Sequence, residues 1–269
     1  MRAAFSRPGT AGDRAATDML KIENLHKSFG GISAISDVSM HFSPGSLTAV
    51  IGPNGAGKTS FFNLICGAFR PDRGRILLDG EDIAGLTAPE IVRRGIGRAF
   101  QIASIFSSLT VREAILGAVN AHRRWYARLG RRFPLQEAQA QADEVMELVG
   151  LTAAADTLSG NLSHGDQKVL DIALALALDP RVLLLDEPTA GMGPEERWQM
   201  METVHKLWQR KKMTLIFIEH DMDIVFKFAQ TIRVLSYGQV LAEGAPEEVR
   251  RHPKVIEAYL GARFDAEHA

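Results

Sequence analysis

The spacing of apolar residues changes from segment to segment along this chain, and the changes outline a fold. Residues 20–29 and 36–42 alternate apolar with polar positions, as half-buried strands do, and Ser43-Pro44-Gly45 turns the chain after them. Residues 47–51 form a short unbroken apolar run ending on Gly52, and 58–69 return to helical spacing. A strand at 75–78 with a turn at Asp79-Gly80, a short helix over 89–94 and a strand at 96–100 follow. From 111 to about 177 the pattern is helical, with breaks at Gly130, Pro134, Gly150 and Gly160. Residues 182–185 and 214–218 are apolar runs too short for helices and predict buried parallel strands. A hairpin, 232–235 with 239–242 across Tyr237-Gly238, and a helix from Pro246 complete the pattern, with no internal repeat.

The fold class this predicts is α/β: a parallel sheet core, an antiparallel β subdomain at the start, and an inserted α-helical subdomain over about 102–178. The ordered domain is expected over 19–261, between tails at 1–18 and 262–269. Residues 1–18 mix arginines, aspartates and small residues without the apolar core of a secretory signal. The 31 lysines and arginines nearly balance the 32 aspartates and glutamates, so the chain carries no global electrostatic footprint for nucleic acid, and none is expected as a partner. The single Cys66 excludes an intrachain disulfide and fits a reducing compartment, the cytoplasm. No apolar run approaches the roughly 20 residues a spanning helix needs, so membrane attachment would require a partner.

Chemistry enters at Gly52-Pro53-Asn54-Gly55-Ala56-Gly57-Lys58-Thr59, which fits G-x-x-x-x-G-K-[ST] between a strand and a helix. In that context backbone N–H groups and the helix N-terminus wrap phosphates, Lys58 neutralises the outer charge, the Thr59 hydroxyl binds Mg²⁺, and Ser60 follows in the same turn. Asp186 and Glu187 end the run 182–185, and His220 follows the run 214–218. Ligands of open parallel sheets sit beyond the strands' carboxyl ends, so Gly52, Asp186, Glu187 and His220 are expected to converge. Asp186 is then the carboxylate near Mg²⁺, Glu187 the base that polarises an attacking water, and His220 a contact to the γ-phosphate that orients Glu187 or the water. Gln101 offers an amide able to reach Mg²⁺ or water.

These motifs, with Leu162-Ser163-His164-Gly165-Asp166-Gln167 between them, resemble the ATP-binding cassette subunit of an ABC transporter over residues 20–261. The resemblance implies ATP and Mg²⁺ as cofactors and two cassettes docked head to tail. The signature of one, here Ser163, Gly165 and Asp166, would close over ATP held by the other's phosphate loop. It also implies that Phe29 stacks on adenine. His164 and Asp166 depart from the family's Leu-Ser-Gly-Gly-Gln, and Gly193 stands where the family has an aspartate that bridges the subunits.

The segments 190–194, 218–222 and 255–261 resemble cassettes of branched-chain amino acid importers, whose relatives serve urea and amides; lipopolysaccharide exporters share several of these marks. The implied partners are integral membrane permeases, a second cassette (a heterodimer, with a homodimer left open) and a periplasmic solute-binding protein, at the cytoplasmic face of the inner membrane. A soluble ATPase acting on ribosomes or DNA is the remote alternative. Ile102-Ala103-Ser104-Ile105-Phe106 would line the permease groove or fill subdomain core. Arg123, Arg124, Arg128, Arg131 and Arg132, interleaved with Trp125, Tyr126 and Phe133, form either a solvated helix face or a lipid or permease contact.

Overall fold

The computed structural model describes residues 19–99, 106–123 and 136–259. Among them, β3 (Leu47–Ile51), β6 (Ile96–Ala99), β7 (Val182–Asp186), β8 (Thr214–Ile218) and β9 (Thr231–Ser236) run parallel in the order β9-β3-β8-β7-β6, and β10 (Gln239–Gly244) pairs antiparallel on β9. A second, antiparallel sheet has the order β2-β1-β4-β5, from β1 (Leu20–Phe29), β2 (Ile32–Phe42), β4 (Arg73–Leu78) and β5 (Glu81–Asp82).

Alternation along the strands sorts the core into two layers. Leu183, Leu185, Leu215 and Phe217 face one side, where they pack with α3 (Val111–Arg123), α4 (Gln136–Val149), α5 (His164–Leu176) and α6 (Pro194–Lys211). Val182, Leu184, Ile216 and Ile218 face the other, against the antiparallel sheet and Phe61 and Phe62 of α1 (Lys58–Ile65). Burial on both faces is why β7 and β8 read as continuous apolar runs.

Several boundaries differ from the sequence reading. The helix expected over 58–69 stops at Ile65, because Ala68 and Phe69 turn back to donate to the Asn63 carbonyl. β2 starts at Ile32, earlier than 36, since Ser33 and Ile35 already pair with β1. The block from 111 to 177 is interrupted by 3₁₀ turns at Thr152–Ala154 and Ser159–Asn161 and a bridge between Thr110 and Leu158. α6 was not read from the sequence. It starts on Pro194, with Glu196 accepting from the Gly193 N–H, and carries Met200, Met201, Val204 and Leu207 on its buried stripe. The expected tails 1–18 and 262–269, Gln101, residues 102–105 and most of the arginine cluster lie outside the described residues.

Candidate active site

The phosphate loop leaves β3 at Gly52 and enters α1 at Lys58. Gly57 has a φ of 100°, and a Cβ there would stand 2.4 Å from the Ala34 carbonyl oxygen. Only glycine combines that backbone with that approach. The turn between β9 and β10 braces the loop: the Gly238 N–H donates to the Ala56 carbonyl, and the Ser36 N–H donates to that of Gly238. Lys58 is buried, its Nζ donating to the carbonyls of Gly52 (2.7 Å) and Pro53 (3.0 Å), so the loop curls around its own ammonium. Burial pulls the Lys58 pKa down, and the carboxylates of Glu187 and Asp186 oppose the shift. Pro53 is half-buried, Asn54 and Gly55 are exposed, Thr59 is exposed and Ser60 half-buried on the first turn of α1.

β7 and β8 are adjacent and in register, with Asp186 opposite Ile218, so the residues that follow emerge side by side. His220 Nε2 lies 2.9 Å from Glu187 Oε1. The convergence expected of the strand ends is therefore met: the nearby Lys58 feels both carboxylates, and Glu187 holds the histidine. Glu187 itself has a φ of 50°, a left-handed backbone that costs about 1 kcal/mol or more in a non-glycine residue. Its N–H donates to the Ile218 carbonyl (3.0 Å), and its own carbonyl accepts from Lys168 Nζ of α5 (3.3 Å).

Asp186 is almost fully buried, and its Oδ2 accepts from Arg98 Nη2 at 2.6 Å. Arg98 lies on the neighbouring β6 and also donates to Asn63 Oδ1 (2.6 Å). Sequence reasoning did not single out Arg98. The available signal was a lone arginine inside the apolar strand 96–99, a buried charge that must be paired. The second Asp186 oxygen, Oδ1, is buried with no hydrogen-bond partner among the described residues.

The signature segment is built differently. Ser163 is the N-cap of α5: its Oγ accepts from the Asp166 N–H (3.1 Å) and donates to Asp166 Oδ2 (2.8 Å). Asp166, expected to face nucleotide, is turned onto its own cap, and the Gln167 amide donates to the Leu162 carbonyl. Among the described residues no hydrogen bond joins 162–166 to the phosphate loop. Phe29 keeps 40% of its surface exposed, with Phe69 edge-on at 5.0 Å and the Lys27 ammonium 5.4 Å from its ring centre. No group of three or more His, Cys, Asp or Glu side chains able to hold a metal is present among the described residues. No described helix is long and apolar enough to cross a membrane.

The family model for ABC transporters matches residues 35–190, and that for branched-chain amino acid ATP-binding cassette transporters matches residues 239–265. The chain is 38% identical to the high-affinity branched-chain amino acid transport ATP-binding protein BraF of Pseudomonas aeruginosa, over 90% of this chain and 98% of that one. It is 36% identical to LivG of Escherichia coli, a protein of the same description, with the same coverage. Among solved structures, the ADP conformation of MJ1267, an ATP-binding cassette of an ABC transporter, superposes with a TM-score of 0.80 at 31% identity, over 91% of this chain and 99% of that one. The cassette MJ0796, in a dimeric post-hydrolysis state with ADP and Pi, gives 0.70 at 26% identity over 85% and 99%. The chain therefore belongs to the ABC transporter family as one of its ATP-binding, ATP-hydrolysing cassettes, on the branch of the branched-chain amino acid transport ATP-binding proteins.

Proposed function

We propose that this cassette hydrolyses ATP to drive permease subunits that import branched-chain amino acids or related small solutes. The observation that carries the mechanism is the 2.9 Å approach of His220 Nε2 to Glu187 Oε1, at adjoining strand ends beside Lys58. Glu187 takes the proton of the attacking water, and His220 fixes that carboxylate and meets the γ-phosphate. Lys58 exchanges its two carbonyl partners for phosphate oxygens, a stronger charge-assisted pairing, while the loop N–H groups of 52–57 and the start of α1, with Ser60, complete the cradle. Phe29, still 40% exposed, takes the adenine.

The donor set fits Mg²⁺: Asp186 Oδ1 is a buried carboxylate oxygen with no hydrogen-bond partner among the described residues, and the Thr59 hydroxyl is exposed on the first turn of α1. Thr59 and Asp186 would hold the ion, with Gln101 as its third contact. Bound there, Mg²⁺ would supply charge neutralisation to the phosphates.

Ser163, Gly165 and Asp166 act on the nucleotide of a second cassette, because their own phosphate loop makes no hydrogen bond to them. A heterodimer, with a periplasmic solute-binding protein feeding the permeases at the cytoplasmic face of the inner membrane, is the favoured assembly, and the inserted helices over about 102–178 are the subdomain that meets the permease. The branched-chain description of BraF and LivG favours import over lipopolysaccharide export and over action on ribosomes or DNA.

The test is E187Q in the full chain. It is expected to bind ATP with the affinity of the unaltered chain, to hydrolyse it more than about 100-fold more slowly, and to accumulate as a dimer in ATP. Recovery of that dimer from host membranes with two permeases and a solute-binding protein supports import. Turnover near that of the unaltered chain overturns Glu187 as the base.

A further inference from the structure

Glu219, between the end of β8 and His220, is 4% exposed and has no part in the mechanism above. Its Oε1 accepts from both the Thr189 N–H (2.9 Å) and the Thr189 hydroxyl (2.7 Å). Its Oε2 accepts from the His220 N–H at 3.2 Å. One buried carboxylate thus fastens the loop that follows the base to the main chain of the histidine. With Glu187, His220, Asp221 and Arg197 it lines a cavity of about 210 Å³.

Burying a carboxylate is costly unless its oxygens are well used, and an apolar side chain would fill the same place more cheaply. The geometry around Glu187 says what the carboxylate is for. The strained turn at Glu187 is closed by the Ala190 N–H donating to the Glu187 carbonyl (3.1 Å), and Pro188 and Thr189 are the two residues inside that turn. The segment 188–193 has no acidic side chain of its own, and at its far end Gly193 serves as the N-cap of α6. Ile218 and Lys168 hold the Glu187 main chain, and the side chain that reaches the interior of the turn, from just beyond the neighbouring strand, is Glu219.

We propose that Glu219 is a positioning residue for ATP hydrolysis: by holding Thr189 with one oxygen and the His220 N–H with the other, it sets the approach of the His220 ring to the Glu187 carboxylate from within a single subunit. The proposal rests on the reading of Glu187 and His220 given above. Glutamine at 219 keeps an acceptor for Thr189 and sets an amide N–H₂ against the His220 N–H. Valine at 189 keeps the His220 bond and removes the hydroxyl donor.

The experiment measures Mg-ATP turnover, equilibrium binding of a fluorescent ATP analogue and thermal melting for the full chain and for E219Q, T189V, H220A and H220A/E219Q. Hydrogen bonds to a charged group predict a kcat about 10-fold lower for E219Q and about 3-fold lower for T189V, with nucleotide Kd unchanged within about 2-fold. In the H220A background E219Q should add less than about 2-fold, because the group it positions is gone. Normal turnover in E219Q, an undiminished E219Q effect on top of H220A, or a loss of kcat that merely follows loss of nucleotide affinity would each overturn the role of Glu219. Absence of turnover in the unaltered chain would overturn the reading of the site itself, and the proposal with it.

Discussion

In the phosphate loop, a Cβ on Gly52 would stand 2.1 Å from the Leu235 carbonyl oxygen and one on Gly57 2.4 Å from that of Ala34, whereas a Cβ on Gly165 in the signature segment would meet nothing nearer than Ser163 Oγ at 3.9 Å. The first two glycines are demanded by their own chain. Gly165 is demanded by nothing within it. A backbone left bare with open space above it, at the start of a helix, suits close approach by something from outside. The difference is the one expected if the phosphate loop is completed by folding and the signature segment by the second cassette proposed above.

The most severe loss is expected at Lys58. K58A should weaken ATP binding more than about 100-fold, since the loop loses its only ammonium and the phosphates their main cationic partner; equilibrium nucleotide binding measures it, and retained affinity would remove the phosphate-loop assignment. G57A should come next. The 2.4 Å contact with backbone and the φ of 100° should cost about 2–4 kcal/mol of stability, visible in denaturant unfolding, together with nucleotide affinity.

G165A should leave folding intact. Its melting temperature and single-cassette nucleotide affinity should match the unaltered chain, while turnover falls about 10-fold as the added methyl obstructs the facing phosphate. Equal loss of stability in G57A and G165A would erase the distinction between the two halves.

The one effect that depends on pH belongs to Asp171, on the helix that the signature opens. Burial pushes its carboxyl up to about 6, against the pull of the Lys168 ammonium, and it lines a small cavity with Asp186 and Glu187. A folded-state pKa above the unfolded value means that the native state holds the proton more tightly. The stability from the protonated form is complete below the unfolded pKa of about 3.9 and is lost as pH rises to about 6. D171N, which carries no charge at any pH, should therefore gain on the unaltered chain by about 3 kcal/mol between pH 4 and pH 7 in thermal or denaturant unfolding. A difference that does not change with pH would refute the assignment.

The half of the site made by strand ends was legible because each piece has a local signature. The phosphate-loop spacing sits between an apolar strand and a helix, and Asp186, Glu187 and His220 terminate runs too short to be anything but buried strands. What escaped was pairing across strands. Arg98 meets Asp186 because β6 lies beside β7, and Glu219 meets Thr189 because β8 does, and neither adjacency is written in residue spacing. α6 escaped although Pro194 and Glu196 mark its start, because its stripe of Met200, Met201, Val204 and Leu207 is diluted by charged residues on the solvent side. Ser163 and Asp166 were read as ligand contacts, but their spacing is equally that of a helix cap, and in the single chain they are one.

The brace beneath the phosphate loop bears on the order in which the protein is made. β3 is flanked by β8 and β9, and the loop rests on the turn at Tyr237-Gly238, all of which leave the ribosome long after residues 52–59. A nascent chain halted before residue 214 would contain the entire phosphate-binding motif and neither of the strands that hold β3 in its sheet. Nucleotide competence is therefore acquired only once β8, β9 and the turn beyond them have been made, and fragments released earlier carry the motif without the pocket.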